Sequence, residues 1–153
     1  MLHFAYGSNM SRLLMQRRCP GARAIGAGVL PGWQFVVTVD GYASIVPRPG
    51  KMVHGALWQL GPRDLAAINA YESLDSGLYV RRMLPVRYDG RQVRALVYVG
   101  RRRGEGRPRP GYMALVEAAA REWHLPEGYV QTLRRWAPSG LSGMLQKETG
   151  ELG

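Results

Sequence analysis

The sequence predicts an α+β domain in which a curved, mostly antiparallel sheet, closed or nearly closed, carries a few flanking helices. Short segments rich in β-branched and aromatic residues are bounded by glycine, proline and aspartate, as strands commonly are. An Asp-Gly dipeptide separates two of these segments, which is typical of a hairpin. Segments with the apolar spacing of a helix occur between the predicted strands, so the chain mixes hairpins with crossover helices. This order does not favour a doubly wound parallel sheet.

The chain length fits one compact domain, since 153 residues leave little room for two independent hydrophobic cores. Hydrophobic residues make up 46% of the chain and charged residues 21%, a composition typical of a chain that folds. We expect the domain to span residues 1–138 and residues 139–153 to form a peripheral C-terminal tail.

The first predicted strand covers residues 2–6, a short apolar and aromatic run that ends at Gly7. Five more segments combine a β-rich composition with turn residues at their ends: 33–39, 42–46, 53–60, 78–88 and 92–99. The last two flank Asp89-Gly90, which can supply the positive φ angles of a two-residue hairpin turn.

Four helices are predicted. Ser8 or Asn9 is expected to cap the first, over residues 11–18. The second starts at Gly61-Pro62 and runs to about Tyr71, with proline in the first turn, where its missing N–H is not needed. The third ends before Pro126, and a short fourth helix covers about residues 126–136. Spacings of three and four mark an apolar stripe on the third: Tyr112, Leu115, Val116, Ala119 and Trp123.

The formal net charge is +10, and arginine carries almost all of it because Lys51 and Lys147 are the only lysines. The densest basic run is Arg101-Arg102-Arg103, which Arg107 and Arg109 follow in a segment rich in glycine and proline. This pattern favours a solvated loop over a nucleic-acid groove, since neither zinc-finger spacing nor an RNA-recognition aromatic motif accompanies it. We expect no nucleic-acid partner.

The single Cys19 excludes an intramolecular disulfide, which favours a reducing compartment. The first nine residues resemble no signal peptide, and no segment approaches the ~18 apolar residues of a membrane span. We therefore expect a cytoplasmic protein without membrane contact.

Several common site chemistries are not supported by the sequence. His3, His54 and His124 lack metal-ligand spacing, so no metal site is expected. Cys19 has no histidine nearby in sequence, and Ser8 does not lie in a Gly-x-Ser-x-Gly elbow. Neither residue is predicted to be a nucleophile.

The turn Tyr6-Gly7-Ser8-Asn9 joins the end of a strand to the start of a helix. Several backbone N–H groups at such a turn have no partner and point into one small volume, where the helix dipole adds positive potential. An anion or oxyanion site is one interpretation of the turn. The other is purely structural, because many such turns use glycine and serine for backbone reasons alone.

Glu72 follows the predicted second helix, whose inward face is defined by Leu65 and Ile68. If the helix continues, Glu72 lies on that face at spacings of seven and four, and burial would raise the pKa of its carboxyl group. A carboxyl group with a pKa near neutrality can act as both general base and general acid. If the helix ends at Tyr71, Glu72 faces water or serves as a cap. The spacing alone does not decide between the two.

A wider pattern resembles the γ-glutamylcyclotransferase family (AIG2-like domains). Phe4-Ala5-Tyr6-Gly7-Ser8-Asn9-Met10 is followed much later by Glu72 and then by Ser76-Gly77-Leu78-Tyr79-Val80. The turn motif and the spacing between Glu72 and Tyr79 carry the resemblance, and the later elements agree as far as the helix near Tyr112. The resemblance covers about residues 2–138.

The resemblance implies a small mixed α/β barrel and release of 5-oxoproline from a γ-glutamyl amino acid or amine. That reaction requires no metal, nucleotide or other cofactor. By the same resemblance, Glu72 is the proton acceptor and donor, and Tyr79 and Tyr112 are pocket residues. Tyr112 also fits the apolar helix stripe. The implied substrate-binding stretch is His3, Phe4, Ala5, Tyr6, Gly7, Ser8 and Asn9.

Two functions remain open from the sequence. One is a cyclotransferase or related γ-glutamyl amine lyase that acts on a small molecule, as a monomer or a homodimer. The other is a non-catalytic member of the same fold that binds a small ligand or an anion. Glu72 favours the enzyme, because burial of a carboxylate is costly and a binding module has no need of one.

Overall fold

The computed structural model describes residues 1–72, 77–101 and 104–136. The predicted tail, residues 139–153, and part of the arginine-rich segment lie outside the described residues. The described strands are β1 Leu2–Ala5, β2 Arg23–Val37, β3 Ala43–Gln59, β4 Tyr79–Tyr88 and β5 Arg91–Gly100. The helices are α1 Arg12–Arg18, α2 Pro62–Tyr71, α3 Tyr112–Glu122 and α4 Glu127–Arg134, and a 3₁₀ turn, Ser8–Met10, precedes α1.

The five strands form a closed barrel in the order β1-β3-β2-β4-β5. All pairings are antiparallel except that of β5 with β1, where His3 lies opposite Leu96 and closes the barrel. Glycine permits the close approach of β2 to β4, because a Cβ at Gly28 would lie 2.9 Å from Val86 Cγ1. The predicted α+β class and the closed sheet are confirmed.

The prediction of three separate strands at 33–39, 42–46 and 53–60 was wrong. Strand β2 starts ten residues earlier, at Arg23, and the other two segments are parts of the single strand β3. The β2–β3 ladder shifts register between Ala24 and Gly26 and again between Pro31 and Trp33. Such irregularities allow a bent ladder to continue through glycine and proline. These two residues are disfavoured in strands, so strand propensity alone predicts that a segment ends at them.

Local turn and helix signals predicted the remaining elements well. Asp89 and Gly90 adopt φ angles of 51° and 74° between β4 and β5, which confirms the hairpin. Helix α2 begins with Pro62 and ends at Tyr71, as predicted. The predicted cap of the first helix was wrong: the 3₁₀ turn comes first, and the Ser11 hydroxyl therefore accepts from the Leu14 N–H at 3.3 Å.

The core fills the barrel and extends beneath α3 and α4. It includes Phe4 and Leu57 from the sheet and Met10 from the 3₁₀ turn. Val116 on α3 and Leu133 on α4 pack against the same cluster. Of the helices that the structure describes, none is long and apolar enough to cross a bilayer.

Candidate active site

The 3₁₀ turn that follows β1 is held in place by two tryptophans. Trp58 Nε1 on β3 donates to the Asn9 carbonyl oxygen at 3.1 Å. Trp123 Nε1, at the end of α3, donates to the Met10 carbonyl oxygen at 2.7 Å. Their rings also meet edge to face, with centroids 5.3 Å apart. Elements far apart in sequence therefore fix the position of the turn.

Gly7 provides space at the start of this turn. A Cβ at this position would lie 3.0 Å from Tyr112 Oη and 3.2 Å from Ala43 Cβ. Both distances are shorter than ordinary van der Waals contact. A side chain at this position would therefore crowd α3 and β3, and it would fit only if one of them moved.

Glu72 lies immediately after α2 and points inward. Its N–H still donates to the Ile68 carbonyl oxygen at 2.9 Å, so the backbone keeps the last helical hydrogen bond. Its Oε1 accepts a hydrogen bond of 2.9 Å from Asn9 Nδ2. Each of the two interpretations of Glu72 was therefore correct in one respect: the helix ends at Tyr71, yet the side chain faces the interior.

Burial is the main influence on the Glu72 carboxyl group and raises its pKa from 4.5 to about 7. The positive charge of Arg18 and the hydrogen bond from Asn9 both act in the opposite direction, because they stabilise the carboxylate. A carboxyl group with this pKa exchanges its proton readily near neutral pH.

All ten sequence-predicted site residues line one cavity of about 220 Å³. Glu72 lies on one wall, and the stretch from His3 to Asn9 forms another, with Tyr79 and Tyr112 completing the enclosure. Five further lining residues were not predicted: Tyr42, Ala43, Tyr71, Leu78 and Tyr98. Tyr98 gave no sequence signal, since alternation along β5 predicted only which residues share a face.

Ala43 connects the two predicted pocket tyrosines. Tyr79 Oη donates to the Ala43 carbonyl oxygen at 2.7 Å. The Ala43 N–H donates to Tyr112 Oη at 3.2 Å. Burial raises the pKa of both phenols well above the ordinary value, so both are neutral at physiological pH. Tyr112 lines the cavity and also packs against the core, so pocket and core are not alternatives for this residue.

His3 is buried on the barrel wall and faces Tyr98 edge to face, with ring centroids 5.4 Å apart. Its Nδ1 lies 3.1 Å from the Leu96 carbonyl oxygen. Because a carbonyl can only accept, Nδ1 carries the proton. Burial lowers the pKa of His3 to about 4, although the bond to Leu96 opposes this shift. The imidazole is therefore neutral and brings no positive charge to the cavity.

Tyrosine hydroxyls also link β1, β5 and α2 behind the cavity. Tyr6 Oη donates to the Tyr98 carbonyl oxygen at 2.5 Å. Tyr98 Oη in turn donates to Asn69 Oδ1 on α2. These bonds hold the last turn of α2, and with it Glu72, against the barrel.

Arg18 ends α1 beside the turn, and sequence analysis did not single it out. One nitrogen, Nη1, donates to Asn9 Oδ1 at 2.5 Å and to Ser8 Oγ at 3.1 Å. Its Cζ lies 3.6 Å from the centroid of the Tyr71 ring. An acidic side chain needs neighbours that orient it, and Asn9 in the turn motif is of a suitable type, whereas no sequence signal marks Arg18.

The remaining candidate groups do not form a site. No three histidine, cysteine, aspartate or glutamate side chains cluster to hold a metal ion within residues 1–72, 77–101 and 104–136. The Cys19 thiol donates to the Asp64 carbonyl oxygen at 3.5 Å, and burial raises its pKa to about 11. A thiol in this state is a poor nucleophile.

The family profile described as "Gamma-glutamyl cyclotransferase, AIG2-like" matches residues 3–124, most of the chain. The chain belongs to this family. Among curated members, the gamma-glutamylcyclotransferases of Homo sapiens and Mus musculus are each 25% identical over 162 residues. These alignments cover 99% of this chain and 86% of each relative.

Two solved structures share the fold of this chain. A structure described as "Gamma-glutamyl cyclotransferase" superposes with a TM-score of 0.85 at 23% identity and covers 100% of this chain and 99% of its own. The structure of a Homo sapiens protein described as loc79017 superposes with a TM-score of 0.83 at 24% identity. The alignment covers 97% of this chain and 96% of that protein. The fold of this chain is therefore shared with a solved structure of a gamma-glutamyl cyclotransferase.

Proposed function

We propose that this protein is an enzyme that releases 5-oxoproline from a γ-glutamyl amino acid or a γ-glutamyl amine, with Glu72 as the group that accepts and returns the proton. The observation that carries the proposal is the Glu72 carboxyl group, which faces a cavity beside the glycine-containing turn and has a pKa raised to about 7. Membership of the family supplies the class of reaction.

The reaction is an intramolecular transfer. The α-amine of the γ-glutamyl unit attacks the γ-carbonyl carbon, a C–N bond forms, and a five-membered ring closes without a second reactant. The α-amine is an ammonium at neutral pH and must first lose a proton, which the Glu72 carboxylate accepts. The proton passes from Glu72 to the leaving amine, and the C–N bond to that amine breaks. The ring nitrogen then loses its second proton to the Glu72 carboxylate, which passes it to the released amine, so the amine departs as an ammonium. No water is consumed.

The turn after β1 is suited to the negative charge that develops on the former carbonyl oxygen. Inside the turn the first bonded N–H is that of Met10, which donates to Gly7 O at 3.0 Å. The N–H groups of Ser8 and Asn9 come before it in the turn, and the Ser8 N–H also faces Tyr112 Oη, where it lowers the pKa of that phenol. Donors aimed at an oxyanion contribute about 3 kcal/mol each in other enzymes.

The aromatic walls of the cavity assist both steps. Tyr6, Tyr79, Tyr98 and Tyr112 all have raised pKa values because of burial, so they surround Glu72 with neutral rings. Low local polarity keeps the pKa of the acid near neutrality and strengthens hydrogen bonds to the oxyanion.

The test is incubation with a panel of γ-glutamyl amino acids and γ-glutamyl amines, with 5-oxoproline measured directly. We expect turnover by the wild type and its loss in Glu72→Gln. The exposed Glu105→Gln is the matched control and should retain activity. Turnover that persists in Glu72→Gln would refute the proposed role of the carboxyl group. Ligand binding without any 5-oxoproline would instead support a non-catalytic member of the fold.

A further inference from the structure

Arg18 contacts the site from outside the cavity. It does not line the cavity, but three of its partners do: Ser8, Asn9 and Tyr71. The side chain is partly buried where α1 ends. Its contacts therefore reach two walls of the cavity at once, the turn after β1 and the last residue of α2.

The bond to Asn9 controls which end of the amide faces Glu72. A guanidinium has donors only, so Nη1 can bond Oδ1 but not Nδ2. With Oδ1 held by Arg18 at 2.5 Å, Nδ2 is the group left to face Glu72 Oε1, 2.9 Å away. A rotated amide would place its oxygen against the carboxylate and lose both bonds. The three side chains form one polarised chain of hydrogen bonds.

The groups that face Glu72 come from every element around it. The 3₁₀ turn contributes Asn9 and α1 contributes Arg18. The phenols that interact with the carboxyl group come from the barrel and α3: Tyr6, Tyr79, Tyr98 and Tyr112. In the part of the chain that the structure describes, Arg18 is the only charged group that acts on the Glu72 carboxyl.

We propose that Arg18 is a positioning residue for Glu72, which orients the Asn9 amide toward the carboxyl group and supports the Ser8 turn without touching the substrate. This role rests on the proposed function of Glu72. Because Arg18 acts through Asn9, its replacement should lower kcat and leave the affinity for substrate nearly unchanged.

The test compares Arg18→Met with Arg17→Met, an exposed neighbour on the same helix. Carboxyl signals of ¹³C-labelled glutamate are followed through a pH titration, and Glu72→Gln assigns the signal of Glu72. We expect the Glu72 titration to move up by one pH unit or more in Arg18→Met and to stay in place in Arg17→Met. Equal titration in the two variants would overturn the proposal. This readout needs no turnover, so it decides the role of Arg18 even if the proposed reaction fails.

Kinetics supply the second readout. We expect kcat to fall at least tenfold in Arg18→Met, with KM changed less than threefold. A double variant with Asn9→Ala should be no slower than the slower single variant, since the two residues act as one unit. If the fold-losses of kcat in the two single variants multiplied in the double variant, the proposal would be contradicted. If Arg18→Met does not fold, Arg18→Gln carries the test, because it removes the charge and its amide, unlike a guanidinium, can also accept a hydrogen bond. An unchanged kcat in that variant would also overturn the proposal.

Discussion

Asn9 Nδ2 donates a hydrogen bond of 2.9 Å to Glu72 Oε1, across 63 residues of sequence. This bond joins the turn after β1 to the end of α2, the two elements that flank the cavity. A carboxyl group raised in pKa by burial and held by a directed donor is both available for proton transfer and fixed in orientation.

Asn9→Ala should slow turnover at least tenfold and move the acidic limb of the pH profile upward. The hydrogen bond from Asn9 stabilises the carboxylate, so its loss raises the pKa of Glu72 further above 7. Hydrogen bonds to charged groups contribute about 1.5–3 kcal/mol, which is consistent with a loss of this size. The measurement is kcat/KM as a function of pH. An acidic limb at the wild-type position would show that Asn9 does not act on Glu72.

The stability of the protein should depend on pH through Glu72. Its pKa is raised from 4.5 to about 7 in the folded state, so the folded protein holds this proton more tightly than the unfolded chain. The contribution of the protonated Glu72 to the free energy of unfolding is complete below about pH 4.5, declines as pH rises, and is lost above about pH 7. The corresponding loss is about 3 kcal/mol.

Urea unfolding of the wild type and Glu72→Gln across this range isolates the effect from other titrating groups. The difference in free energy of unfolding between the two proteins should shift in favour of the variant as pH rises from 4.5 to 7. A difference that stays constant with pH would mean that the carboxyl group is not buried as described.

Gly7→Ala should reduce kcat/KM more than tenfold. The new methyl group would meet Tyr112 Oη at 3.0 Å and Ala43 Cβ at 3.2 Å, so the turn or the cavity wall must move. Gly128→Ala in α4 is the matched control, because its Cβ would meet nothing within 4 Å. We expect that control to keep full activity and to gain about 0.5 kcal/mol in stability. Full activity in Gly7→Ala would show that the site tolerates the shift.

Tyr112→Phe should lower thermal stability by several degrees. The hydroxyl accepts from the Ala43 N–H at 3.2 Å, and its removal leaves a partly buried donor without that partner, a loss of about 1–3 kcal/mol. Tyr42→Phe serves as the comparison, since the Tyr42 hydroxyl makes no hydrogen bond to any residue that the structure describes. Calorimetric melting temperatures that fall equally in both variants would remove the assigned role of Tyr112 Oη.

Much of the architecture was predictable because short-range rules acted on a few residues at a time. Asp89-Gly90 produced a hairpin since both residues adopt positive φ angles. Pro62 marked the start of α2. The lengths of β2 and β3 were not predictable in this way, because their ladder continues through glycine and proline by means of register shifts set by the partner strand.

The sequence by itself determined the Asp89-Gly90 hairpin, the limits of α2 and the presence of a carboxyl group next to that helix. Only the tertiary structure decided that this group turns inward, meets Asn9 and acquires a pKa of about 7. The physical reason is that dihedral preferences are local, whereas desolvation and hydrogen-bond partners depend on which distant segments the closed barrel brings together. The role of Arg18 also depends on the tertiary structure, since it follows from contacts with distant residues and not from its residue type.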